Sequence, residues 1–154
     1  KEAIHIKDQS DDVFQTAYAI MEFIYENYTY TSGSTTVSTH ANEIIQKREG
    51  VCQDFAHILI SAARFNNLPA RYINGFLLEE TTSGENTTHA WVEIFINDLG
   101  WIAFDPSHKK CIDDKYIRIS TGYDFEDAST IKGIKTNYNG DEFLDTKVDI
   151  ENCQ

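Results

Sequence analysis

A cysteine, a histidine and an aspartate, widely spaced, are the residues of this 154-residue chain that can do chemistry together. Cys52 stands in "EGVCQDFAH" (49–57), directly after a glycine–valine pair and in the first turn of what reads as a helix. A thiol attacks a carbonyl well only as thiolate. Two surroundings favour that form, the unpaired N–H groups of a helix start and an adjacent imidazolium. Cys52 has the first by position. Candidates for the second are His5, His40, His57, His89 and His108. His57 follows Cys52 by five residues in the same helix, a rotation of about 140° that sends it to another face. His89 opens a strand behind a polar loop and is followed by Ala90-Trp91, so a bulky ring can close the site from water. Asp105 ends the next strand, where a carboxylate could fix the imidazole tautomer and stabilise the imidazolium.

The elements that must position these groups can be read from periodicity. Residues 10–28 form an amphipathic helix, with Ser10 as cap, Asp11 and Asp12 at its positive end, and Val13, Ala17, Ile20 and Ile24 at helical spacing. "TYTSGSTTVST" (29–39) reads as loop, and "ANEIIQKRE" (41–49) as a short helix stopped by Gly50. "CQDFAHILISAARFNN" (52–67) is apolar around most of its circumference, as a central buried helix should be, and the residue before Pro69 cannot continue it. The period then becomes two. Residues 70–78, 89–96, 100–106 and 115–121 read as strands, with "NDLG" as a hairpin turn between the second and third. Asn139-Gly140 signals another hairpin within 134–150, and the polar loop 79–88 should lie at the rim of the site. Helices followed by an antiparallel meander make an α+β fold, a buried helix packed on a sheet. Trp91 and Trp101 are the large rings expected in its core.

With the turn at 97–100, paired positions on the two hairpin strands should sum to about 197, which sets His89 opposite residue 108. Asp105 is then two or three positions along, within reach if a bulge or a twisted strand end helps. Each residue also has an ordinary reading. A lone cysteine is often a small hydrophobe, a histidine opening a strand is often structural, and Asp-Pro commonly ends a strand for turn reasons. Spacing alone leaves both readings open.

Bulk properties narrow the partners. The length suits one domain, residues 1–154, with a single core. Twenty-five acids against 13 bases leave a net charge of −12, which disfavours nucleic acid and anionic membrane surfaces. No apolar run reaches the roughly 18 residues of a membrane span. Cys52, Cys111 and Cys153 are an odd count without short paired spacing, so a disulfide framework is not expected and a reducing, cytoplasmic setting is.

Taken together, "GVCQDFAHILISAARFNNLPARYINGF" and "HAWVEIFINDLGWIAFDPS" resemble the transglutaminase-like superfamily, specifically its bacterial cysteine peptidases. The likeness runs from about residue 12 to 150, with three blocks in the family's order. It implies a papain-like α+β fold, with Cys52 as nucleophile on the central helix, His89 as general base then acid, and Asp105 as its orienter. It implies no cofactor and no metal, and a peptide or protein amide as substrate. The family often continues Asp-Pro with Thr-Asn, where this chain has Ser107-His108. It often has Gly-Arg-Asp-Tyr, where this chain has Gly122-Tyr123-Asp124-Phe125. These departures bear on the substrate rather than on the three residues. Family members often carry an N-terminal β-rich domain, which could have preceded Lys1.

The chemistry implied is acyl transfer through a thioester. Hydrolysis is the expected outcome, since water is the abundant nucleophile unless the site excludes it, and glutamine transamidation is the alternative. The Cys52 N–H is the natural oxyanion donor, and Gln53 or Gln46 could supply a side-chain donor. A zinc site collecting Cys52, His57, His89 and His108 lacks the usual Cys-x-x-Cys or His-Glu-x-x-His pairs. A silent interaction module would have no physical need for all three reactive groups.

Overall fold

The computed structural model describes residues 12–36, 39, 41–78, 88–130, 148 and 150. Asp12 accepts the N–H of Phe14 at 2.8 Å and so caps α1 (Val13–Asn27), later than the expected Ser10, which lies outside the described residues. One stripe of α1, Thr16, Ala17, Ile20, Met21 and Ile24, is buried. Helix α2 (Ala41–Lys47) is stopped by Arg48, in left-handed geometry at φ 54, and not by Gly50. Gly50 belongs instead to β2 (Glu49–Gly50), which pairs in parallel with β1 (Thr29–Tyr30). The segment read as loop therefore begins with a strand. Two residues are too few to show a period.

Helix α3 (Cys52–Phe65) buries Phe55, Ala56, Leu59, Ile60 and Ala63. Its last turn closes through Asn66, and Asn67 turns left-handed at φ 58 ahead of Leu68-Pro69. The sheet follows as β3 (Ala70–Leu77), β4 (Thr88–Ile96), β5 (Gly100–Asp105), β6 (Lys110–Cys111) and β7 (Tyr116–Gly122), before a single turn, α4 (Phe125–Ala128). Strands β3 to β5 form the expected antiparallel meander, and β6, not expected from the sequence, extends it. Strand β7 departs from it, because the spatial order is β6-β5-β4-β3-β7 and β7 pairs with β3 at the far edge. Alternation along a strand says which side chains share a face and nothing about which edge the strand joins.

Tyr72, Ala90, Val92, Ile94, Ile96 and Phe104 meet α1 and α3 in the main core. The opposite face holds a smaller cluster of Ile73, Leu77, Trp91, Ala103 and Tyr116. Covering both faces of the central strands adds roughly 1.5–3 kcal/mol for each large apolar side chain removed from water. It also makes a rigid floor for whatever stands at the strand ends. A β-carbon on Gly75 would collide with the Ile117 carbonyl and the Trp91 indole, so this glycine lets Trp91 lie against the strand, beside a register shift between Asn74 and Gly75. Trp101, expected in the core, is 41% exposed. Among the described residues no helix is long and apolar enough to cross a membrane. The hairpin expected in 134–150 and loop 79–87 lie outside the described residues, apart from isolated positions near the C-terminus.

Candidate active site

The start of α3 is built by the residues flanking Cys52. Val51 is extended and has no polar side chain to cap the helix, so Asp54 reaches back instead. Its Oδ2 accepts the Val51 N–H at 2.9 Å and the Thr35 hydroxyl at 2.5 Å. A β-carbon at Gly50 would stand 2.9 Å from both Cβ and Oδ2 of Asp54, so "GVCQD" works as one close-packed turn. Cys52 is the first helical residue. By helix geometry its N–H has no carbonyl one turn back, so a positive helix end lies beside the sulfur.

His89 and Asp105 come from neighbouring strands. Val92 pairs with Phe104 and Ile96 with Gly100, a register summing to 196 rather than the expected 197. The change of one decides the face. Continued along the strands, the register sets Asp105 across from Trp91, on the same face as His89 and one pleat away, so no bulge between β4 and β5 is required. His89 Nε2 lies 2.7 Å from Asp105 Oδ2. With Nε2 so engaged, Nδ1 is the nitrogen left to meet Cys52, which is near enough to contribute to the upward shift of the ring's pKa.

His89 is 6% exposed and Asp105 fully buried. Burial alone would lower the His89 pKa, but the hydrogen bonds and charges of Asp105 and Cys52 outweigh it and push the ring up to about 9. Burial would likewise raise Asp105. Instead, hydrogen bonds from His108, His89 and Tyr116 hold its carboxyl well below the ordinary carboxylate range. His108 Nδ1 is 2.8 Å and the Tyr116 hydroxyl 2.7 Å from the same Oδ2, while Oδ1 accepts the Ser107 N–H at 2.8 Å.

Tyr116 is a site residue that sequence reasoning missed, and His108, one of the candidate histidines, meets Asp105 rather than Cys52. For His108 a signal existed. Asp105-Pro106-Ser107-His108 is a four-residue turn, and such turns bring the fourth residue back to the first. Tyr116 carried no local sign, since its strand reaches the site only through the far-edge crossover. The remaining histidines stand elsewhere or undescribed. His57 Nε2 accepts the Phe125 N–H at 3.3 Å, and burial lowers its pKa. His5 and His40 lie outside the described residues. Gln46 is exposed on α2 and Gln53 half-buried on α3. Tyr72, also unanticipated, is buried, and its phenol is held protonated by burial and by the charges of Cys52 and Asp54. Trp91 stacks on His89 with ring centroids 6.2 Å apart, keeping its Nε1 buried without a hydrogen-bond partner.

Residues 3–106, which include all three proposed reactive residues, match the family described as the transglutaminase-like superfamily. An uncharacterised protein of Mycobacterium tuberculosis is 36% identical over 82% of this chain, and one of Mycobacterium leprae 32% identical over 79%. The chain spans 44% of the length of each. Among solved structures, a candidate cysteine protease from Cytophaga hutchinsonii is 35% identical, with TM-score 0.73, over 82% of this chain and 42% of its own. Calcium-bound LapG of Legionella pneumophila shares the fold at 16% identity and TM-score 0.60, over 88% of this chain and 80% of its own.

Proposed function

Since the chain belongs to the transglutaminase-like superfamily, we propose that it transfers an acyl group from a peptide or protein amide to water, through a thioester on Cys52. In this reading the thiol proton resides on His89 and the sulfur attacks the amide carbonyl. The tetrahedral oxyanion is met by the Cys52 N–H at the helix start. On collapse the C–N bond breaks, and His89 gives its proton to the departing amine. Water then attacks the thioester with His89 as base, and a carboxylate leaves as the thiol is restored. Asp105 keeps Nε2 engaged, so that Nδ1 is the atom through which the proton moves.

One observation carries this reading. A buried imidazole stands 2.7 Å from a buried carboxylate, and that carboxylate together with a cysteine at a helix start raises its pKa to about 9. The likeness to the Cytophaga hutchinsonii protein supports a peptidase over a cross-linking enzyme. The test uses iodoacetamide near pH 6.5 with peptide mass spectrometry. Cys52 should alkylate quickly, whereas Cys111, half-buried with its thiol pKa pushed up by burial, should not. Equal rates at the two cysteines would reduce the chain to a silent module of the same fold. With peptide and carboxamide libraries, a free carboxylate as end product supports hydrolysis, and incorporation of an added primary amine would replace it with transamidation.

A further inference from the structure

We propose that His89, Asp105 and His108 form a binding site for a borderline divalent cation, Zn2+ foremost, whose occupancy switches the thiol site off. His89 Nε2, Asp105 Oδ2 and His108 Nδ1 all lie within 4.8 Å of one another. Two imidazoles and one carboxylate are the donors zinc takes in open sites, and a poor set for calcium or magnesium, which demand oxygen. A tetrahedral zinc with ligands at about 2.0–2.1 Å spaces neighbouring ligand atoms about 3.3 Å apart. The two nitrogens now stand 2.7 and 2.8 Å from the oxygen, so each must open by about half an ångström. The His108 side chain is 36% exposed, which gives the cation a way in.

One further observation favours a ligand here. Oδ2 of Asp105 faces three donors, His89, His108 and Tyr116, while a carboxylate oxygen offers about two lone-pair sites. A cation would remove two of those donors by replacing their protons. No electron moves on binding. The Nε2 proton of His89 and the Nδ1 proton of His108 pass to solvent, and the cation takes their places. The ring of His89 is then held through Nε2 with its Nδ1 proton tightly kept, and Asp105 no longer steers it. That inhibitory consequence rests on the acyl-transfer reading; the binding itself does not.

Binding is therefore measured on Cys52→Ala, which lacks the nucleophile, by calorimetric titration of the metal-free protein with Zn2+ alone at pH 7. One equivalent is expected to bind. Adding His108→Gln or His108→Asn should weaken binding at least about tenfold, the smallest loss usual when a group supporting a zinc site is removed. Adding His57→Gln should leave it unchanged. The use of two His108 variants, each checked by thermal melting, keeps one misfolded protein from deciding the result. Unaltered affinity in a folded His108 variant overturns the proposal, as does loss of zinc with Cys52→Ala, which would assign the metal to the Cys52–His89 pair. Neither outcome touches the alkylation test of Cys52, so the two readings fail separately.

Discussion

The β4–β5 hairpin carries a tryptophan toward each end, on the same face of the sheet, and the two occupy different worlds. Trp91 is fully buried, laid against Gly75, stacked on His89 and edge-on to Tyr116. Trp101 packs on Phe95, with the Arg71 guanidinium 4.1 Å over its ring, and is partly in solvent. Between them Glu93 is buried and paired with Arg71 and Arg118. The site end is covered because β7 crosses the sheet and brings Tyr116 over it. In that low-dielectric setting one carboxylate oxygen can govern two imidazoles. Nearer the hairpin turn, Arg71 and Arg118 reach solvent while balancing the buried charge of Glu93.

Substitutions at the two ends should separate accordingly. The largest effect is expected from Asp105→Asn, which keeps the shape but deprives His89 of its anion. Acyl-enzyme formation should slow roughly 10³–10⁴-fold, or about 4–5.5 kcal/mol of barrier. A loss below tenfold would leave Asp105 with a purely structural role. Trp91→Ala should follow, at about 3–5 kcal/mol of stability in a urea titration, because it empties a buried ring's volume next to His89. Trp101→Ala should cost about 1 kcal/mol or less, the scale of an exposed cation–π contact. Comparable losses for the two tryptophans would erase the distinction between the two ends of the hairpin.

The smallest effect is on pH dependence. The folded pKa of His89, about 9, lies above its ordinary 6.5, so the stability it contributes is complete below 6.5 and is lost as pH rises through 9. Asp105 is shifted downward, so its contribution is present at neutral pH and fades as pH falls below the ordinary carboxylate range. Melting temperature should therefore decline between pH 6.5 and 9, and less steeply in Asp105→Asn. An equal slope in the variant would detach the raised pKa from the carboxylate.

Much of this was legible in the sequence, for reasons that are local. The period of α1 and α3, the change to alternation after Pro69 and the "NDLG" turn are properties of neighbouring residues. They suffice for an α+β fold with Cys52 at the start of a buried helix. The blocks around Cys52, His89 and Asp105 carry the family likeness for the same reason. What failed was pairing register, the shortest strands and the contacts between elements. A register sum off by one moved the expected partner of His89 to the wrong face, and two-residue strands left no period to read. Trp101 alternates like a core residue, yet no described element crosses it.

Local sequence thus determined which segments form helix or strand and which side chains point together, because backbone geometry repeats within a few residues. Only the tertiary structure decided that β7 joins the far edge, that Tyr116 and His108 gather on the oxygen Asp105 offers His89, and that one tryptophan is dry and the other wet. Burial and charge depend on what a distant part of the chain lays across a surface, and no window of neighbouring residues contains that information.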